Sequence, residues 1–380
     1  MYHCDSSSSL FQNDKVAIVI DNGSSTIKAG LADETDPRVI PNIIGVPYSQ
    51  DGQQDTYIGS EVLSKSDIFS LKRPVQRGFI ADWDNMEKIW QHTFQKELKV
   101  NPSEHPVLLT DGPLSGTNER REMIQRMFEK FNTPGLNISR RPALALFSSG
   151  KTTGVVLSSG DGITHTVPIY EGYAMSHAVS RLEVAGEDLT RYFGTLLPPS
   201  HSFTSPAELE ILRTMKEKLC YVTLDPAGEL RRAEESSAVE REYELPDGQI
   251  ISIGKGRFLT PDALFNPSAI SGGEEKGVHE LVFESIKKCD MDTRRTLYQN
   301  IFVTGGSTLF NGFTERLTKE VVRLVPPSIQ DIIQVDALPD RCAAWKGGCA
   351  YASLLATQKM WITKEEYQEH GFTIVTRKCS

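Results

Sequence analysis

The sequence is poor in three things, and each shortage removes a class of function. It lacks an excess of positive charge: 41 Lys and Arg stand against 50 Asp and Glu, a net charge of −9 over 380 residues. A protein whose main partner is nucleic acid needs a basic surface, so direct nucleic-acid binding is set aside. It lacks paired cysteines. Cys4, Cys220, Cys289, Cys342, Cys349 and Cys379 stand far apart without a CxxC pair, which reads as free thiols in a reducing compartment. It also lacks a long apolar run. No stretch approaches the ~20 apolar residues of a membrane span. The opening MYHCDSSSSLFQNDK has no apolar signal core. That segment is polar and Ser-rich, and reads as a flexible tail over residues 1–15.

What is present fits a globular protein of the α/β class, with 39% hydrophobic and 24% charged residues. The length is large for one core and suggests two lobes. KVAIVID reads as a buried strand and TIKAGLA as its hairpin partner. PRVIPNIIGVP reads as extended edge structure. In DNMEKIWQHTFQKEL, Met86, Ile89, Trp90, Phe94 and Leu98 fall at helical spacing. HPVLLTDGP reads as a strand into a turn, and NERREMIQRMFEKF as a helix with Asn118 as its N-cap. RRPALALFSSG carries a second short helix. TTGVVLSSGDGITHTVPIYEG then repeats the opening grammar of strand, turn and strand. REYELPDGQIISIG reads as a hairpin with a Pro-Asp-Gly turn. ALFNPSAISGGEEKG reads as a loop. NIFVTGGSTLFNGFTERLTKEVVRL reads as strand, Gly-Gly turn and helix, and AAWKGGCAYASLLATQKMWITKEEYQEHG as helical to about Gly371. Two similar halves around a cleft follow, and in α/β folds a ligand sits in the cleft at the strand ends.

The turns carry the chemistry. Backbone N–H groups of a Gly/Ser turn converge on phosphate oxygens. Gly23 and Gly160 permit close approach, and Ser24, Ser25, Thr26 and Ser159 add hydroxyls. Lys28 leaves the first turn where it can reach back toward phosphate charge. A third turn, Gly305-Gly306-Ser307-Thr308, suits a phosphate or a nucleoside. Any one of these is as readily an ordinary tight turn; three after three apolar strands argue for a nucleotide. The acids available to a metal bound with it are Asp21 and Asp161, acting through water. His165 either orients an attacking water or is a strand histidine bonded to backbone. The first strand ends in Asp21, but the matching position of GVVLSSGDGITH is Ser158.

At these residues the chain resembles the actin family. DNGSSTIKAG, MEKIWQHTF, HPVLLT, MFEKFNTP, KTTGVVLSSGDGITHTVPIYEGYA, MKEKLCYV, YELPDGQIISIG, GGSTLFNGF and TIVTRKC carry the resemblance, in order, from Val16 onward. DMDTRRTL and GGSTLFNGF also resemble the family's centractin branch, the actin-related subunit of dynactin. The resemblance implies two ribonuclease-H-like lobes around a cleft for ATP or ADP with Mg²⁺, or Ca²⁺ in its place. It implies a first lobe of residues 16–148 plus 343–380, with a small subdomain at about 42–82, and a second lobe of residues 149–342. It implies that the turns at Asp21–Thr26 and Ser158–Thr164, including Gly162, clamp the phosphates beside Lys28. It places Gly186, Arg213, Lys216, Glu217, Gly305, Gly306, Phe310 and Arg341 on the nucleoside side. Phe310 stands for the family's tyrosine and Arg341 for its lysine, which keeps a ring and a cation.

Other departures bear on activity. The family has aspartate at Ser158, glutamine at Arg141 and glycine at Ser25. Arg141 puts a cation near the terminal phosphate and removes an acceptor for the water's proton. Read favourably, it is an arginine finger. Losing one polar contact to the reacting water commonly costs ~10²–10³ in rate. The expectation is a bound, largely structural nucleotide and weak catalysis by His165, Arg141 and Asp21. PYSQDGQQDTYIG is shorter than the family's lengthwise filament loop and has no apolar tip. Gly272, Gly273, Glu274, Glu275 and Lys276 replace most of an apolar plug, so homopolymers should form poorly. Lys346 in WKGG charges the rim of the target-binding cleft, or snorkels harmlessly into solvent.

The resemblance implies other actin-family subunits or actin-binding proteins as partners, in the cytoplasmic cytoskeleton. A polymerising ATPase is the alternative. A dynactin-type short filament, a cilium- or sperm-associated role and a nuclear chromatin-remodelling subunit stay open. A sugar kinase or chaperone is disfavoured because the actin-like runs reach the C-terminus.

Overall fold

The structure is a computed structural model that describes residues 15–47, 56–63, 69–198, 203–338, 341–357 and 360–379. Two six-stranded sheets share one plan. In the first, Ile18–Asn22 pairs antiparallel with Thr26–Leu31, which pairs antiparallel with Arg38–Pro41. On its other side Ile18–Asn22 has Val107–Asp111 and then Gly135–Arg140, both parallel to it. In the second, Gly154–Ser159, Thr164–Tyr170 and Tyr173–Ala174 form the antiparallel half. Ile301–Thr304 and Val335–Ala337 form the parallel half. The strand order is 3-2-1-4-5 in each, so the similarity of the two turns in sequence reflects a repeat in topology. All five residues of IVIDN are buried, as expected of a central strand covered on both faces.

Two helices join the sheets. Leu144, in the helix Arg141–Phe147, packs with Val19, Leu108 and Trp345 against the first sheet. Ala145 and Leu146 pack with Val156, Val167 and Phe302 of the second. The helix Ala343–Thr357 crosses it so closely that a Cβ on Gly347 would collide with the Leu144 carbonyl. Trp345, on that helix, donates its indole N–H to the Val19 carbonyl at 3.1 Å. This double contact fixes the start of Arg141–Phe147 at the base of the groove between the sheets.

The expected helix at Asp84 runs over Trp83–His92 and continues as a wider turn to Leu98. Met86, Ile89, Trp90 and Phe94 are buried as the spacing predicts, while Leu98 is half-buried. Other readings need correction. The helix expected to be capped by Asn118 already begins at Thr117, after extended Gly116, which offers no side-chain cap. The expected loop at 263–277 contains the short helix Ser268–Ser271, stopped by Gly272 in a left-handed conformation. The last helix is not continuous. Ile362–Thr363 is a strand paired with Gly135–Leu136, and a capping box from Thr363 to Glu366 starts Lys364–His370. A further helix, Thr373–Lys378, follows Gly371.

Cys220, Cys289, Cys349 and Cys379 are buried free thiols. Among the described residues, no helix is long and apolar enough to cross a membrane.

Candidate functional site

The two hairpin turns face each other at the mouths of their sheets. Asn42 braces the first: its amide Nδ2 donates to Gly23 O at 2.8 Å, and its backbone N–H donates to Ser25 O at 2.8 Å. The second is braced from within its own half. Gly160 O accepts from Gly186 N at 2.9 Å and from the Ser307 hydroxyl at 2.9 Å, and Asp161 O accepts from Glu187 N at 2.8 Å. Carbonyls that would repel an anion are thereby tied to protein donors. The turns nearly touch, since a Cβ on Gly162 would lie 2.6 Å from Ser24 Oγ. Gly305, with φ of 97°, passes so close to Ser159 O that no side chain fits.

The groove between the sheets collects almost every residue singled out from the sequence. Asp21, Gly23, Ser24, Ser25, Thr26 and Lys28 line it from the first sheet, with Arg141 at its base. Ser158, Gly160, Asp161, Gly162, His165 and Gly186 line it from the second. Arg213, Lys216, Glu217, Gly305, Gly306, Ser307, Phe310 and Arg341 complete it. Ser159 is the exception. Its side chain is fully buried and its hydroxyl pairs with Thr164 Oγ1 at 2.8 Å, because alternate strand residues point to opposite faces.

Asp21 is the buried centre of the groove. Its Oδ1 accepts from Arg141 Nε at 2.7 Å and from Thr110 Oγ1 at 2.8 Å. Arg141 Nη2 also donates to Asn22 O. Burial pushes the Asp21 carboxyl up, but Arg141 and Lys28 with the Thr110 hydrogen bond outweigh it and hold the pKa below the ordinary value. The Lys28 amine does reach back over the turn, within 3.8 Å of where a Gly23 Cβ would sit. Asp161 behaves oppositely: burial raises its pKa against the pull of Arg73 and Lys216. Burial, reinforced by Arg141 and Arg181, lowers His165 to about 3, so its imidazole is neutral at physiological pH. Lys216 is buried and donates to Gly186 O at 2.7 Å and Thr190 Oγ1 at 2.8 Å. Arg213 bridges the groove to Ser25 Oγ at 3.1 Å, and Arg341 pairs with Glu217 at 3.0 Å.

Sequence reasoning missed several participants. Thr110 supports Asp21 from the end of the neighbouring parallel strand. The rule that ligand crevices lie at the carboxyl ends of strands points to it. Asn42 and the clasp of Arg77 had no local signal. Arg77 donates to both Asp188 oxygens, at 2.6 and 2.8 Å, and to Glu183 O at 2.7 Å. It thus ties the turn before Gly78 to the second half.

A family model, Actin, matches residues 12–380. The chain belongs to the actin family. Members of that family generally bind ATP or ADP with a divalent metal. The cleft of this actin-family chain fits the nucleotide part of that set. It has two braced Gly/Ser turns, and a Cβ on Gly160 would meet no neighbouring protein atom closer than 3.9 Å, while one on Gly306 would meet none within 4 Å. That open room is where a ligand would lie against backbone. The residues fit the metal poorly. Asp21 already has a guanidinium on it and Ser158 is no acid, which leaves Asp161 as the acid of the two turns open to a hydrated ion.

The surfaces expected to bear on assembly fall partly within the described residues. Residues 48–55, the polar tip expected to weaken lengthwise contacts, lie outside the described residues, as does the tail at 1–14. Residues 272–276 are exposed, and Lys276 pairs with Glu284. Lys346 is 40% exposed and lies 3.6 Å from Asp36.

Proposed function

We propose that this actin-family protein holds ATP or ADP between its two sheets as a largely structural ligand, cleaves it slowly and self-assembles poorly. The lobes would be residues 16–148 plus 343–380 and residues 149–342. The turns with Lys28 would take the phosphates, and Gly305, Gly306, Phe310, Arg213 and Arg341 the nucleoside. The observation that carries slow cleavage is the Arg141–Asp21 pair. A guanidinium committed to Asp21 and to Asn22 O is poorly placed to serve as an arginine finger. It also cannot accept the proton of an attacking water. His165, neutral and lining the groove, keeps an acceptor there, which accounts for slow rather than absent turnover.

Weak self-assembly rests on the exposed, charged 272–276 segment, since burial of apolar area drives such contacts. The protein then acts as a subunit beside other actin-family chains or actin-binding proteins, in the cytoplasmic cytoskeleton. Single-turnover phosphate release and sedimentation in polymerising salt test this reading. Release slower by ~10² than from conventional actin, with little pelleting, is expected. Equal release and robust pelleting would instead favour the polymerising ATPase, which a neutral His165 lining the same groove as Asp161 also permits.

A further inference from the structure

We propose that the Arg141 guanidinium takes the place of a divalent cation at Asp21, so that the cleft binds nucleoside triphosphates free of metal. This rests on the nucleotide reading above and deepens it.

Three observations converge. Asp21 is 3% exposed, and one oxygen of its carboxylate already accepts from Arg141 at 2.7 Å and from Thr110 at 2.8 Å. A buried acid needs a counter-charge, and here an arginine side chain of the same chain supplies it in place of an ion from solution. A metal arriving at the same carboxylate would meet a like charge. The equivalent position of the second hairpin is Ser158, so a hydrated Mg²⁺ would have only Asp161 as an acid not already paired with a guanidinium on the two turns. The remaining charges then favour a bare polyanion. Lys28, Arg213, Lys216 and Arg341 line the groove with Asp161 and Glu217, and Arg213 is also paired with Glu210, which leaves a surplus of one cation. The groove is therefore electropositive inside a chain of net charge −9. A nucleoside triphosphate stripped of its metal is the ligand whose charge best matches it.

The test is titration calorimetry of the full chain with ATP, in EDTA and in excess Mg²⁺, for wild type, Arg141→Gln and Arg141→Lys. The inference predicts wild-type affinities in the two buffers within about threefold of each other. Arg141→Gln should lose at least about tenfold in EDTA, because Asp21 then faces phosphate with Lys28 alone to offset it, and should recover in Mg²⁺. Arg141→Lys should stay closer to wild type in EDTA. A packing role for Arg141 would not give Mg²⁺ rescue. Wild-type binding at least about tenfold tighter in Mg²⁺ overturns the inference and leaves the nucleotide reading intact. No binding in either buffer overturns both. The wild-type comparison decides even if a variant fails to fold.

Discussion

The two hairpins that close the cleft share a backbone and differ in charge. In the first, Asp21 sits opposite Lys28 on its antiparallel partner and takes a hydrogen bond from Thr110 of the parallel one. In the second, Ser158 sits opposite His165, and Thr304 is its parallel neighbour. One frame thus holds a carboxylate between two cations, Lys28 and Arg141. The other holds a hydroxyl beside an imidazole that burial keeps neutral. On the proposed reading, the difference separates a phosphate-clamp geometry from a hydrolytic centre. Braced turns and open glycines are backbone properties, while cleavage depends on a few side chains set into them.

The strongest way to break the comparison is to delete each central residue. Asp21→Ala leaves a guanidinium with its carboxylate gone in a largely buried site. It should cost about 3–5 kcal/mol of stability in denaturant unfolding. Ser158→Ala should cost less than about 1 kcal/mol. Similar losses at both sites would mean that the hairpins are not electrostatically distinct. The next test makes them alike. The pair Arg141→Gln and Ser158→Asp should speed single-turnover phosphate release in Mg²⁺ by about 10². An unchanged rate would show that the block on cleavage lies elsewhere.

Acidity offers a smaller effect. His165 has a folded pKa of about 3, below its ordinary 6.5, so the unfolded chain binds the extra proton between those values. Its contribution to stability is complete above about pH 6.5 and is lost as pH falls toward 3, by up to about 1.4 kcal/mol per pH unit. His165→Asn should flatten that part of the slope in urea unfolding at pH 7 and pH 5; parallel curves would place the imidazole in water. Least of all, Arg77→Ala should remove the clasp that ties the turn before Gly78 to the second half. Arg77 is 41% exposed, so stability should change by less than about 1 kcal/mol. Release of a fluorescent ATP analogue should quicken by about threefold or more. Unchanged release would show that the clasp does not gate the cleft.

The first strand and its turn were legible because the signal is local: IVID is a buried run, and NGSS can only turn. The repeat at GVVLSSGDGITH was legible for the same reason, and it located the missing acid at Ser158. The direction of side chains was harder. The Gly/Ser composition of the turn points to Ser159, yet it sits one residue beyond Ser158 and faces the core. Period-two alternation along the strand settles such cases once the strand's extent is known. Arg141 was located but aimed at phosphate, whereas Asp21, 120 residues earlier, captures it. The Arg77–Asp188 clasp spans 111 residues and follows from no pattern in either segment. At the C-terminus, helical spacing hid Ile362–Thr363, two β-branched residues that pair with Gly135–Leu136 as a short strand. Thr363 and Glu366 did carry a capping signature that marks the restart of the helix.

The most direct test is the content of the purified, unwashed protein, denatured and assayed for nucleotide by chromatography and for magnesium and calcium by mass spectrometry. The account predicts about one nucleotide per chain, mostly ATP, with far less than one divalent ion accompanying it. ADP as the main species, matched by an equimolar divalent ion, would contradict it.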